Sequence, residues 1–232
     1  LIKLKKTYLN KINLNQINHM NYVIKNPGLI FALALEHLQM TAIAVLIAIT
    51  VALPLAVLVT RYRWLSVPVL GFLGTLYTIP SLALIILLVP IFGLNRQSVV
   101  MAITVYSLVI LVRSFSVGVR SLDPVILEAA RGMGMSAWQR WWQIQIPLIL
   151  PIGLAGIRLA SIVAIAIATI GAKFGAGGLG VLLFDGIAQT RNDKIFAGAI
   201  IVAILAFAIN GILLGLEWLF NPIRKIRQAP RN

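Results

Sequence analysis

Cysteine is absent from this 232-residue chain, so no disulfide framework and no thiolate metal site can form. Histidine is nearly absent. His19 and His37 are too few for a metal cluster, and both precede the first long apolar block. Charge is scarce as well, at 11% of residues against roughly 25% in ordinary globular chains, which excludes a soluble domain. Acidic residues number only six, and none falls deep inside an apolar block, which argues against a proton relay. No G-x-x-x-x-G-K-[ST] loop occurs, so this chain has no phosphate cradle of that kind for ATP. No His/Asp/Glu cluster, nucleophile elbow or metal-ligand spacing marks an enzyme, and neither cofactor nor metal is expected.

The sequence is instead rich in apolar residues, 60% of the chain, set in long charge-free blocks and not at the spacing of half-buried elements. A helix needs about 20 apolar residues to cross a hydrocarbon core of roughly 30 Å. Block one runs from Thr41 to Thr60 with Pro54 inside it, and Arg61 and Arg63 follow. Block two, Trp64 to Asn95, is too long for one straight crossing and carries Pro68, Pro80 and Pro90. It reads as one long helix kinked or interrupted near Pro80, with two re-entrant halves as the alternative. Blocks three (Gln97 to Arg120), four (Pro147 to Ala172) and five (Ile195 to Leu216) complete five expected spans. The expected fold is therefore an all-α integral membrane domain with five transmembrane helices.

The net charge of +14 invites a nucleic-acid reading, but the basic residues flank apolar blocks, where lipid headgroups would sit. A membrane-lipid partner is expected, and no nucleic acid. Arg61, Arg63, Arg120, Arg131, Arg140, Arg224, Lys225, Arg227 and Arg231 fall on one side together with all five tryptophans. That side is expected to be cytoplasmic. The lysines near the N-terminus conflict with this bias. The conflict eases if residues 1–19 are upstream translation and the protein starts at Met20, with no cleavable signal peptide. Residues 1–36 are thus expected to form a tail, 37–221 the membrane domain and 222–232 a basic cytoplasmic tail.

Between blocks three and four, residues 121–146 have a different character. Asp123-Pro124 reads as an N-cap with proline at the first helical position. A short helix over Val125 to Arg131 should meet the breaker Gly132-Met-Gly134, after which Ser136 should cap a second helix, Ala137 to Gln145. Trp138, Trp141 and Trp142 should share one face as an interfacial aromatic belt. Small residues at Ala129 and Ala130 would let another protein approach closely, Gly134 would make the turn, and Glu128 could hold the loop by hydrogen bonds.

Glu128-Ala129-Ala130, Gly134, Ile144 and Ile146-Pro147 match the pattern E-A-A-x3-G-x9-I-x-L-P, with Ile146 for Leu as the single departure. The chain thereby resembles the permeases of binding-protein-dependent (type I) ABC importers. In that family this loop is the coupling helix that seats on a partner ATPase. The resemblance implies coupling residues Glu128, Ala129, Ala130, Gly134, Ile144 and Pro147. It also implies three kinds of partner: a separate ABC ATPase subunit, a second permease subunit, identical or paralogous, and an extracytoplasmic substrate-binding protein or domain. Thr78-Ile-Pro80-Ser81, Ala155-Gly-Ile-Arg158 and Gly175-Ala-Gly-Gly-Leu-Gly180 look further like the osmoprotectant branch, which imports glycine betaine, choline or carnitine. Tyr77 stands where that branch is expected to have Gln, and Lys173 where it has an uncharged residue. Tyr77, Thr78, Pro80, Ser81, Gly175 and Gly177 are expected along the translocation pathway.

Gly175, Gly177 and Gly180 also spell the dinucleotide fingerprint G-x-G-x-x-G, but no strand or βαβ unit surrounds them. Arg113 and Arg158 lie within blocks and are functional candidates by default; pairing with Glu217, or snorkelling, is the plainer expectation. The expected function is a multi-pass cell-membrane permease subunit of an ATP-driven importer for quaternary ammonium osmoprotectants. The alternatives are a permease of the same fold for another solute, such as an amino acid, and a self-contained secondary carrier.

Overall fold

The computed structural model describes residues 22–220, so residues 1–19 and the basic tail at 222–232 lie outside the described part. Helices dominate it and no strand occurs among the described residues. Helix α1 is Pro27–Arg61, α2 Arg63–Thr78, α3 Ser81–Phe92 and α4 Arg96–Arg120. Then come α5 (Pro124–Gly132), α6 (Ala137–Arg140) with a π-turn at Trp141–Gln145, and α7 (Ile146–Gly171). A 3₁₀ turn at Ala172–Phe174, α8 (Gly180–Ala188) and α9 (Asn192–Leu219) complete the chain.

Helix α4 occupies the centre of the bundle, with α1 and α7 against it. On α1, Ala44, Ala48, Ala52 and Ala56 recur every four residues and are buried to 1% exposure or less. Residues at this spacing share one helix face, and side chains this small let backbones approach, which is how helices pack when lipid removes the hydrophobic drive between them. That face meets Val99, Ala102, Ile103, Val109 and Leu111 of α4. Across the other seam, Gly153 of α7 lies under the Phe115 ring, where a Cβ would come within 3.1 Å of the ring, and Gly118 of α4 faces Ile149.

Helix direction settles the alternative left open by block two. Arg96 at the start of α4 donates to the Glu36 carbonyl in the first third of α1, at 3.1 Å. Further along, Thr104 of α4 meets the Ala44 carbonyl of α1. Helices α1 and α4 therefore run parallel. The chain leaves α1 at Arg61 and must cross the bundle again before α4 begins. The crossing is made by α2 and α3, bent by 98° at Ile79–Pro80. Neither half is long enough alone, since 16 and 12 residues give roughly 24 and 18 Å. Block two is one broken crossing, and five crossings result.

Two boundaries differ from the sequence reading. The first span begins at Pro27, so residues 27–36, expected in the tail, are helical, and His37 lies inside the span, fully buried. Its Nε2 is 3.2 Å from the Ile165 carbonyl. The reason is a continuing apolar face, with Ile30 and Leu33 packed on Leu179 and Leu182, which a rule based on charge-free runs cannot see past Glu36. The second difference is α8, a short helix beyond the glycine segment, in a stretch between blocks four and five for which the sequence suggested no helix.

Arg158 of α7 pairs with Glu217 of α9 at 3.3 Å, as the sequence suggested. Glu217→Ala should leave the guanidinium with only the Asn210 amide beside it, at a cost bounded above by the roughly 2.5–3.5 kcal/mol that insertion scales give a charge at the helix centre. The yield of folded protein in mild detergent should fall severalfold, and the double change Arg158→Met with Glu217→Leu should recover most of it.

Candidate functional site

The polar segment folds into a self-braced elbow. Asp123 caps α5, its carboxylate accepting from the Val125 N–H at 2.9 Å with Pro124 in the first turn. Helix α5 ends at Gly132, and Gly134 adopts φ +77°, a left-handed conformation that glycine adopts without steric cost. The Met135 N–H then returns to the Ala130 carbonyl at 3.2 Å. Ser136 and Gln139 form a reciprocal capping box that starts α6. The Arg140 guanidinium donates to the Met135 carbonyl at 2.6 Å and closes the loop.

Two details depart from the sequence reading. Ala130 is fully buried inside the elbow, so its small side chain serves closure, and only Ala129 is exposed. The Glu128 side chain is exposed and makes no hydrogen bond or ion pair among the described residues; Arg140, not Glu128, braces the loop. The tryptophans stay together where α6 begins, in keeping with the shared face read from their spacing. A π-turn begins at Trp141, where the Ile146 N–H reaches back five residues to the Trp141 carbonyl, and this shifts the register of the residues that lead into α7. Trp138 and Trp142 meet edge to face at 5.4 Å. Trp141 and Trp142 both line an apolar cavity of about 740 Å³ with Pro54, Tyr62 and Phe115. Ile144 and Pro147 are half-buried where the elbow joins α7. Exposed Val125, Ile126 and Met133 surround the turn.

The pathway candidates fall into two groups. Tyr77, Thr78, Pro80 and Ser81 lie together at the α2–α3 break, with Tyr77, Thr78 and Pro80 exposed. The Tyr77 ring leans on Tyr106 of α4, centroids 5.4 Å apart at 56°. Tyr106, a buried residue the sequence did not single out, donates its hydroxyl to the Ile79 carbonyl freed by the break. Helix periodicity alone does not reveal it, since the acceptor exists only because the partner helix is interrupted.

Gly175 and Gly177 lie at the other end of the bundle. Gly175, Gly177 and Gly178 all have φ near +75° to +79°. A Cβ on Gly175 would come within 3.2 Å of the Leu94 carbonyl, and one on Gly177 within 2.6 Å of a Glu36 carboxylate oxygen. That carboxylate accepts the Gly178 N–H at 3.0 Å. The glycine segment is thus a close-packed backbone turn on α1, and Lys173 beside it sits over the Phe184 ring. Glu36→Ala should remove a charge-assisted hydrogen bond and lower stability by about 1.5–3 kcal/mol, read as an earlier thermal midpoint of the purified protein.

The family of binding-protein-dependent transport system inner membrane components matches residues 44–222. The chain belongs to that family. It is a multi-pass membrane permease, a transport component, and the self-contained carrier considered from the sequence is set aside. The osmoprotectant import permease protein OsmW of Salmonella typhimurium is 39% identical over 208 residues, covering 88% of this chain and 97% of that protein. The carnitine transport permease protein OpuCB of Listeria monocytogenes is 38% identical, covering 84% and 88%. The glycine betaine/carnitine/choline transport system permease protein OpuCB of Bacillus subtilis is 34% identical, covering 88% and 94%. Among solved structures, the inward-facing MetNI methionine ABC transporter superposes with a TM-score of 0.69 at 20% identity, over 80% of this chain and 93% of that one. An amino acid ABC transporter crystallised with histidines gives 0.66 at 22% identity, over 86% and 96%. These two likenesses show the type I importer permease fold.

Proposed function

We propose that this permease imports quaternary ammonium osmoprotectants such as glycine betaine, carnitine or choline, driven by a separate ATPase docked on the elbow. The observation that carries the coupling half is the elbow itself. Glu128, Ala129 and Gly134 present an exposed, nearly bulk-free turn, rimmed by apolar side chains, at the end of the bundle where α1 and α9 finish. A chain without a phosphate-binding loop can be driven only through a contact surface, and a second permease subunit and an external binding protein complete the expected assembly. Names of relatives that share most of this chain's length support the substrate class.

The pathway follows the α2–α3 break. Irregular backbone at membrane depth is tolerated only where it is covered by protein or lines a water-filled cavity. Thr78 and Pro80 are exposed in the single subunit, so this face turns toward the second subunit and the space between them. Tyr77 and Ser81 line the middle of that space, and Gly175 and Gly177 lie toward its outer end.

The test is uptake of labelled glycine betaine, carnitine, choline and a panel of amino acids into proteoliposomes holding the whole transporter. ATP-dependent uptake of the quaternary ammonium solutes alone is the expected result. Uptake of amino acids with none of these solutes would overturn the substrate assignment.

A further inference from the structure

Among the described residues Arg113 has no counter-charge, and its position says where one must come from. The six acidic residues of the chain are Glu36, Asp123, Glu128, Asp185, Asp193 and Glu217. Asp123 and Glu128 sit in the elbow, Glu217 is taken by Arg158, and Glu36, Asp185 and Asp193 belong to the opposite end. None reaches Arg113, and an identical second copy would bring only the same six.

Snorkelling does not account for the side chain. Helix α4 runs from the far end towards the elbow, and side chains lean towards the N-terminus of their helix, here away from the elbow interface. The guanidinium accordingly rests on Gly74 of α2, where a Cβ would come within 2.9 Å of Nη2. Gly74 is eleven residues beyond Arg63, roughly 16 Å along a helix and so near the middle of a 30 Å core. A charge there is tolerated where it meets water or a partner, not hydrocarbon. Arg113 is exposed in the single subunit, on the same face as the broken backbone.

Tyr77 follows Gly74 by one turn on the same face of α2, about 4.5 Å of rise. It is 42% exposed and is propped from behind by Tyr106, which precedes Arg113 by two turns on α4. The seam between α2 and α4 therefore offers a fixed cation and, one turn away, an exposed aromatic ring. The geometry points to a membrane-embedded subsite for a zwitterion, with the carboxylate on the Arg113 guanidinium and the quaternary ammonium against the Tyr77 ring. A guanidinium holds a carboxylate through paired N–H donors, and an aromatic face attracts a cation. This inference rests on the osmoprotectant reading and narrows it: Arg113 distinguishes carboxylated solutes, such as glycine betaine and carnitine, from choline, which has no carboxylate.

The test compares maximal ATP-driven uptake of glycine betaine and choline in the reconstituted transporter, with the binding protein saturated by each. Arg113→Gln should cut betaine uptake at least tenfold relative to choline, and Arg113→Lys should keep a substantial part of it. Tyr77→Leu should reduce both solutes, and Tyr77→Phe, which keeps the ring, should restore most of what Tyr77→Leu loses. Equal loss of both solutes in an assembled Arg113→Gln transporter, or no loss of either, would overturn the subsite. Should that variant fail to assemble, Gly74→Ala decides. Its methyl displaces the guanidinium, so the betaine-to-choline ratio should fall about threefold, and an unchanged ratio counts against the subsite. A wild-type transporter that moves betaine only must lose it in Arg113→Gln and keep part of it in Arg113→Lys, and unimpaired uptake in Arg113→Gln would refute the subsite. One that moves choline only refutes it directly while leaving the osmoprotectant reading standing. Uptake of none of these solutes by the wild type would instead sink the osmoprotectant reading itself.

Discussion

Gly134→Trp should abolish ATP-driven uptake, by at least tenfold, while the altered permease still inserts and dimerises. Two effects act together at this position. The backbone sits at φ +77°, so any side chain other than glycine adds strain of about 1–3 kcal/mol, and a bulky one sits there least easily. A Cβ at Gly134 would meet nothing within 4 Å among the described residues. The indole would therefore project outward, into the space a docked ATPase must occupy. Gly134→Asn separates the two effects, because asparagine tolerates the left-handed region and is small. It should retain most uptake and most bound ATPase, as measured by vesicle uptake and co-purification side by side. Wild-type transport by Gly134→Trp with its ATPase retained would mean that the elbow is not the coupling surface.

Gly180→Leu should have an equally large effect by another route, through loss of the fold at the far end. A Cβ at Gly180 would meet the Thr169 carbonyl oxygen well inside contact distance and the Ala172 Cβ at 2.7 Å. The obstacle is backbone, which cannot rotate away as a side chain can. Helix α8 would have to lift off α7, taking Leu179 and Leu182 from their contacts with Ile30 and Leu33. Overpacking of this kind costs about 1–3 kcal/mol and occasionally more, and the lost contacts add to it. The yield of monodisperse protein should drop severalfold. Gly28→Ala, at a site with open space, should leave the yield unchanged.

Much of this was legible in the sequence because membrane helices announce themselves by length and lack of charge. The elbow was legible for a different reason. Asp123-Pro124, Gly134 and Ser136 each satisfy a local rule of capping or backbone sign, and the structure uses all three as local chemistry requires. What the sequence did not reveal depends on contact between distant segments. The start of α1 was misplaced because Glu36 looks like a boundary charge until the Gly178 N–H is found to meet it. Ala130 read as an exposed small residue, yet its burial follows from the way the chain doubles back at Met135. Arg113 and Arg158 were equivalent in sequence, each a basic residue inside an apolar block. Only the fold separates them, giving Arg158 an acid and Arg113 none.

The coupling reading meets its most direct test in a single-cysteine crosslink, which the absence of native cysteine makes unambiguous. Arg131→Cys, on the exposed side of the elbow, and Gln189→Cys, exposed at the far end, would each carry a thiol-linked photocrosslinker in the assembled transporter. Illumination should join the ATPase to the chain labelled at residue 131 and not to the one labelled at 189, and ATP-driven uptake of glycine betaine should fall in step with the crosslinked fraction. Capture of the ATPase from residue 189 alone, or full uptake with residue 131 completely crosslinked to it, would contradict the account.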